Sequence, residues 1–225
     1  MQNARMEVTM DSNVKNVSFQ EHAVVACGTL SPEINYLRKT GFLDAARILY
    51  TKPGRHEDPE ELEAQLVKRL ETAREYAKKV IVVYGAKFCY LNAKRPARTI
   101  DMIIEEQEKK LRVGITRIPA THCVDMLASR EKREEISEGG KVFWLTPGWV
   151  KYKNFVFQDW DRGKANETFP QNTGGAVLLD SVGFWNDYSE SNPEQLLEFS
   201  DWMGIPILPY EISLDRLKEL LTGCL

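Results

Sequence analysis

Three cysteines stand where short apolar runs of the chain give way to loops or to a helix start. Cys27 ends the first run, Cys89 follows a later one, and Cys123 follows a third. Thiolates bind soft or borderline metals, and three of them with one open position suit zinc or iron. Three cysteines can equally hold an iron–sulfur cluster whose fourth iron takes a substrate or another ligand. We expect Cys27, Cys89 and Cys123 to be metal ligands, with an iron–sulfur cluster preferred over zinc.

A metal-free thiol enzyme is the alternative chemistry. Cys123 is expected to open a helix, whose unpaired N–H groups and dipole would stabilise its thiolate. Cys123 would then be the nucleophile, with His122 or His56 as the base. Adjacent residues at a helix start point in different directions, so a role for His122 on Cys123 is geometrically awkward. Each cysteine taken alone could also be a small core residue, and Cys224, next to the chain end, is interpreted in that way.

Alternating strands and helices must position these residues. Apolar and β-branched runs predict strands over residues 22–28, 46–50, 80–85, 113–118, 141–145 and 205–210. Helix-start residues and amphipathic spacing predict helices beginning at residue 31 and covering residues 58–79, 100–111, 123–136, 193–203 and 213–221. Residues 174–180 suit either a strand or a helix start, and residues 152–173 give no clear element.

This alternation predicts an α/β fold, Rossmann-like, with a mostly parallel sheet and helices on both faces, as one domain or two packed lobes. Residues 1–20 are expected to be a flexible arm and residues 21–225 a single domain. Ligand sites in open parallel sheets lie beyond the carboxyl ends of the strands. The three cysteines follow three such ends, and a fourth strand brings Trp149 to the same edge. We therefore expect them to cluster in space.

The composition excludes several functional classes. The 225 residues include 30 Lys and Arg against 33 Asp and Glu, and a net charge of −3 argues against a nucleic-acid partner. No run approaches the roughly 18 apolar residues that a membrane span needs. The first residues lack an apolar leader, so a cytoplasmic location with reduced thiols is expected. The aromatic residues between 144 and 160 are interpreted as core, with a ligand or partner contact as the alternative.

Four short motifs occur here in the order typical of one known family. They are Ala26-Cys27-Gly28, Tyr84-Gly85 followed by Cys89, His122-Cys123, and Leu145-Thr146-Pro147-Gly148-Trp149. The sequence resembles an uncharacterised archaeal and bacterial family, a domain of unknown function whose genes often neighbour corrinoid-dependent methyltransferases and their activators. The resemblance spans about residues 24–223.

The resemblance implies a cofactor site at the three cysteines to which Gly28, Gly85 and Trp149 also contribute. It implies a setting in the corrinoid or one-carbon methyl metabolism of an anaerobe, with redox, sulfur or methyl transfer on a small-molecule substrate. A corrinoid protein or a methyltransferase is the implied partner, and a non-enzymatic accessory module is the alternative. The chain departs from the family where Thr121-His122-Cys123 replaces His-Asp-Cys, so a carboxylate near the site is expected to be missing.

Overall fold

A computed structural model describes residues 17–55, 58–86 and 89–225. Over these residues the chain is a mixed α/β structure with two parallel sheets and helices around them. The strands are β1 (His22–Ala26), β2 (Arg47–Tyr50), β3 (Lys79–Val83), β4 (Gly114–Arg117), β5 (Phe143–Leu145), β6 (Ala176–Asp180) and β7 (Ile207–Glu211). The helices are α1 (Ser31–Lys39), α2 (Pro59–Ala73), α3 (Ile100–Leu111), α4 (Cys123–Leu127), α5 (Arg130–Ser137), α6 (Pro147–Lys151), α7 (Lys153–Val156), α8 (Arg162–Thr168), α9 (Phe184–Ser191), α10 (Pro193–Met203) and α11 (Asp215–Thr222). The Rossmann-like α/β class is confirmed.

The first sheet has the strand order β2-β1-β3-β4, and all its neighbouring strands are parallel. Helix α1 packs on one face, where Ile34 meets Val24, and helices α2 and α3 pack on the other, through Leu66 and Ile103. Since both faces are covered, residues 80–83 of β3 are apolar without interruption. After β1, the chain places β2 on one side of β1 and then returns to place β3 on the other side. The topological switch point therefore lies between β1 and β3.

The second sheet has the order β5-β6-β7, also parallel, and it shares one core layer with the first sheet. Val177 and Leu179 of β6 belong to the same buried cluster as Ile34 of α1, and helix α11 returns to this shared layer. The other face of the second sheet packs on an aromatic cluster that includes Phe157 and Phe169, with ring centroids 5.7 Å apart. Of the aromatic residues between 144 and 160, Phe157 is core as predicted, whereas Phe155 is exposed and Trp144 and Trp149 line a cavity.

The two sheets approach each other closely at their carboxyl edges. Gly148, near the start of α6, lies against the 3₁₀ turn Gly28–Leu30, and a Cβ at Gly148 would stand only 1.8 Å from the Thr29 carbonyl oxygen. A hydrogen bond of 3.0 Å between the hydroxyls of Ser31 and Tyr152 adds to this junction. Only glycine at position 148 allows the edges to meet in this way.

Several predicted boundaries change. The helix predicted over residues 58–79 ends at Ala73. The helix predicted over residues 123–136 is divided into α4 and α5, because Ser129 caps a new helix by accepting the Lys132 N–H at 3.2 Å. Residues 174–180 supply strand β6, whereas helices α6 to α9 were not predicted.

The predicted N-terminal arm lies mostly outside the described residues, which begin at position 17. Phe19 is fully buried and its ring centroid is 5.6 Å from that of Phe42, so the packed chain begins before residue 21. Among the described residues, none of the helices combines the length and the apolar character that a membrane crossing requires.

Candidate functional site

The thiols of Cys27, Cys89 and Cys123 line one cavity of about 290 Å³. They reach it from the carboxyl ends of β1, β3 and β4, so the cavity borders the switch point between β1 and β3. Cys224 is buried elsewhere and its thiol donates to the Leu220 carbonyl at 3.3 Å. The structure therefore brings together the three cysteines selected by their strand-end positions and leaves the fourth apart.

The second sheet supplies the opposite wall of this thiol cavity. Val142, Phe143 and Trp144, around the start of β5, face the thiols together with Trp149 of α6. The Trp149 indole lies near the Cys123 thiol. Trp149 thus lines the same cavity as the three cysteines, and the cavity is mainly apolar and lies between the two sheets.

Hydrogen bonds hold the Cys27 thiol at the end of β1. The Cys27 N–H donates to the Val83 carbonyl at 3.2 Å, which keeps this residue in register with β3. Its sulfur lies 3.0 Å from the Thr29 hydroxyl. The Tyr84 hydroxyl hydrogen-bonds the same thiol and also the hydroxyl of Thr51. The residue after β3 therefore helps to orient the residue after β1.

The loop after β3 presses against the start of α4. A Cβ at Gly85 would stand 2.5 Å from the Cα of His122, so glycine permits this contact. The backbone N–H groups of Gly85 and Cys123 lower the pKa of the Cys89 thiol, although burial raises it more. Gly28 has a similar role, since a Cβ there would stand 2.4 Å from the Thr51 carbonyl oxygen. Gly28 and Gly85 were expected to contribute to the cofactor site, but neither of them lines the cavity.

Arg117, at the end of β4, ties the strand-end loops together. Its guanidinium donates to the carbonyls of Tyr84, Ile118 and Ala120 at 3.2, 2.8 and 3.2 Å, and it pairs with Asp101. Its positive charge also lowers the pKa of Cys89, although less than burial raises it. Sequence reasoning missed this positioning residue because its partners are backbone atoms of distant loops.

Burial raises the pKa of all three cavity thiols, and that of Cys89 reaches about 12. Their proximity adds to the shift, because Cys27 raises the pKa of Cys89 and both raise that of Cys123. The expectation of a thiolate stabilised by the helix start at Cys123 is therefore wrong. Helix α4 has five residues, and desolvation outweighs its N–H groups.

His122 is the N-cap of α4 and also lines the thiol cavity. Its Nδ1 accepts the Asp125 backbone N–H at 3.1 Å, and burial followed by the charge of Arg133 lowers its pKa. Asp125 accepts the Thr121 N–H at 2.9 Å and lies 3.5 Å from Arg133. Both side chains thus stabilise the helix start.

The other proposed base, His56, lies outside the described residues.

The donor set of the cavity suits a soft metal centre. In the described part of the chain, no three His, Cys, Asp or Glu side chains are arranged to hold a single metal ion. A mononuclear zinc site needs its ligands about 2.3 Å from one point. A cluster distributes its thiolates over several iron atoms and so accepts a wider triangle of sulfurs. The three thiols line one mostly apolar cavity, and their chemistry alone does not select between a cluster and a single ion.

Arg55 is a lining residue that sequence reasoning missed. Among the described lining residues it alone carries a fixed charge. Its Nε is buried without a hydrogen-bond partner in the described structure, and its terminal nitrogen reaches Gln158 at 3.4 Å. Its position in the sequence could have identified it, because Arg55 follows the carboxyl end of β2, at the same edge of the first sheet as the thiols.

Comparison with known proteins gives a family but no characterised relative. A family model described as "Protein of unknown function (DUF1638)" matches residues 50–221. No curated protein matches the chain. The matched range starts later than the predicted residue 24, so it includes Cys89, Cys123 and Trp149 and leaves Cys27 outside.

Proposed function

The chain belongs to the DUF1638 family, whose model covers more than half of it, and we propose that it binds an iron–sulfur cluster through Cys27, Cys89 and Cys123. Zinc is the alternative metal. One observation carries the proposal: three thiols from three separate strand ends meet in one cavity beside the switch point of the first sheet. Such switch points are the usual ligand sites of open α/β sheets.

The protonation of the thiols supports a metal centre over a metal-free enzyme. Without a cation, burial and mutual repulsion keep all three protonated, and protonated thiols are poor nucleophiles. A bound cation reverses this balance because it stabilises the thiolates as ligands. The three shifts thus disfavour nucleophilic catalysis without a metal, and metal binding would have to displace the three protons.

When bound, a cluster with three cysteine ligands supplies electron transfer or an open iron position for a substrate. The surrounding residues would tune the thiolates: Thr29 and Tyr84 hydrogen-bond the Cys27 sulfur, and Trp149 lines the cavity near Cys123. Hydrogen bonds to ligating sulfurs stabilise their negative charge and influence the reduction potential. The apolar wall at Val142 would limit the access of water.

The proposed setting is redox, sulfur or methyl transfer in corrinoid or one-carbon metabolism. The support for this setting is the family resemblance of the cysteine motifs, together with a cavity large enough for a small molecule beside a metal centre. A corrinoid protein or a methyltransferase is the proposed partner. Co-purification with such a partner without turnover would favour an accessory module over an enzyme.

Metal and sulfide analysis after anaerobic purification tests the proposal. We expect the full chain to contain stoichiometric iron and sulfide with visible absorbance. The variants Cys27→Ser, Cys89→Ser and Cys123→Ser should each lose this absorbance, since an open-site cluster with three ligands cannot spare one.

Cys224→Ser is the matched control, because Cys224 is also buried but lies outside the thiol cavity. It should keep the metal content of the unchanged protein. Zinc without sulfide would identify the alternative metal. A wild-type protein with neither metal nor absorbance would overturn the proposal.

A further inference from the structure

Among the described residues, the guanidinium of Arg55 has no anionic partner. The described residues that line the thiol cavity include thiols, hydroxyls, aromatic rings and aliphatic side chains, and none of them is a carboxylate. Arg55 has no salt bridge among the described residues, and its buried Nε has no hydrogen-bond partner there. A half-buried guanidinium with unused donors is costly unless an acceptor comes to it.

The backbone around Arg55 is fixed in place. Gly54 has a φ of +77°, and a Cβ at this position would stand 2.4 Å from the Phe155 carbonyl oxygen in α7. The loop after β2 is therefore pressed against the second sheet's helices. Because of this contact, Arg55 is presented to the cavity by a constrained turn.

We propose that Arg55 binds the carboxylate of a small substrate whose apolar part lies in the thiol cavity. This proposal deepens the proposed function, and rests on it for the chemistry beside the thiols. Arg55 is the specificity-determining residue, because its planar donors match the two oxygens of a carboxylate. The enclosed apolar wall, with Phe143 and Trp144, suits a hydrocarbon body.

The charge balance favours a monocarboxylate over a phosphate monoester. One guanidinium neutralises one negative charge, whereas a phosphate monoester carries between about 1.5 and 2 negative charges at neutral pH. The excess charge would remain in an apolar cavity, where an unpaired charge is unfavourable. A cavity of about 290 Å³ also limits the substrate to a small molecule.

Ligand-observed NMR on the full chain, with and without bound metal, tests this inference. The probes are benzoate, its uncharged analogue benzamide, and phenyl phosphate. We expect the protein to bind benzoate about tenfold or more tightly than benzamide, since a charge-assisted hydrogen bond is worth that ratio. Arg55→Gln should remove this preference, and Arg55→Lys, which keeps the charge but not the planar fork, should restore part of it.

The matched control is Arg162→Gln, which removes an exposed arginine away from the cavity and should keep the preference for benzoate. Circular dichroism establishes that each variant is folded. Equal binding of benzoate and benzamide by the unchanged protein, or no binding of either, would overturn the inference, as would tighter binding of phenyl phosphate. If Arg55→Gln lost its iron but kept its affinity for benzoate, Arg55 would instead be a counter-charge for the cofactor, and the inference would be overturned.

The two proposals fail separately. If the protein takes up no cluster but binds benzoate through Arg55, the carboxylate site stands and the metal proposal falls. If the cluster is present and benzoate binding does not depend on Arg55, the metal proposal stands alone.

Discussion

Glu33, in the first turn of α1, is fully buried, and neither carboxylate oxygen has a hydrogen-bond partner among the described residues. Burial, with a smaller contribution from Asp180, raises its pKa from 4.5 to about 8. The neutral acid is therefore the stable form in the folded protein at pH 7. An unpaired buried carboxyl is a source of instability that the surrounding core must outweigh.

This shift predicts how stability depends on pH. The folded state keeps a proton that the unfolded state loses above pH 4.5, so this stabilisation is complete below pH 4.5 and is lost as the pH rises to about 8. Between pH 5 and pH 8, Glu33 should cost about 3 kcal/mol of the free energy of unfolding. Urea titrations should show a flatter pH dependence for Glu33→Gln. The exposed Glu75→Gln should behave like the unchanged protein, and parallel curves for all three would contradict the assignment.

Single residues differ in how far the sequence predicts them. The cavity cysteines could be found because each follows an apolar run, and position after a strand is a local property. The role of Arg55 depends on the absence of an anionic partner among the described residues, and that of Glu33 depends on burial between elements distant in the chain. Such properties arise only from tertiary packing, so composition and spacing do not reveal them.

At the scale of elements, the contact between the loop after β3 and the start of α4 positions two of the thiols. Gly85→Ala would place a methyl group 2.5 Å from the backbone of His122. We expect a loss of about 2–3 kcal/mol in the free energy of unfolding, because backbone cannot move away as a side chain can. Reduced metal content should accompany this loss, since Cys89 and Cys123 flank the contact.

Gly114→Ala is the matched control for this substitution. Its added methyl group would have no atom closer than 4.0 Å, so chemical denaturation should find its stability within about 0.5 kcal/mol of the unchanged protein. If Gly85→Ala were equally well tolerated and kept its metal, the close approach of these elements would not be required.

Most strands of the structure could be predicted, whereas their division into two sheets could not. Buried β-branched runs such as residues 80–83 identify a strand wherever it lies, because both its faces are covered. Pairing depends on long-range contacts, and nothing local distinguishes a strand of the first sheet from one of the second. The short helices α6 to α8 were missed because four to seven residues are too few to show a helical period of apolar residues.

For the whole molecule, the shared core layer predicts a single unfolding transition. Val24 and Ile34 of the first sheet region are buried in the same cluster as Val177 and Leu179 of the second, so neither sheet keeps its core alone. In urea, near-ultraviolet circular dichroism of the tryptophans, all in residues 144–202, reports the second sheet region. Alkylation of Cys27 reports the first. The two midpoints should coincide, and separate midpoints would show two independent domains.

The position of two tryptophans on the wall of the thiol cavity has an optical consequence. Trp144 and Trp149 line the cavity, whereas the other three of the five tryptophans, at positions 160, 185 and 202, belong to the aromatic core region. A chromophore held by the thiols would accept excitation energy from the two wall indoles more efficiently than from the others. Tryptophan emission under ultraviolet excitation would then decrease in part as the cofactor binds. The fluorescence of the protein would therefore report the fraction of thiol cavities that hold the cofactor.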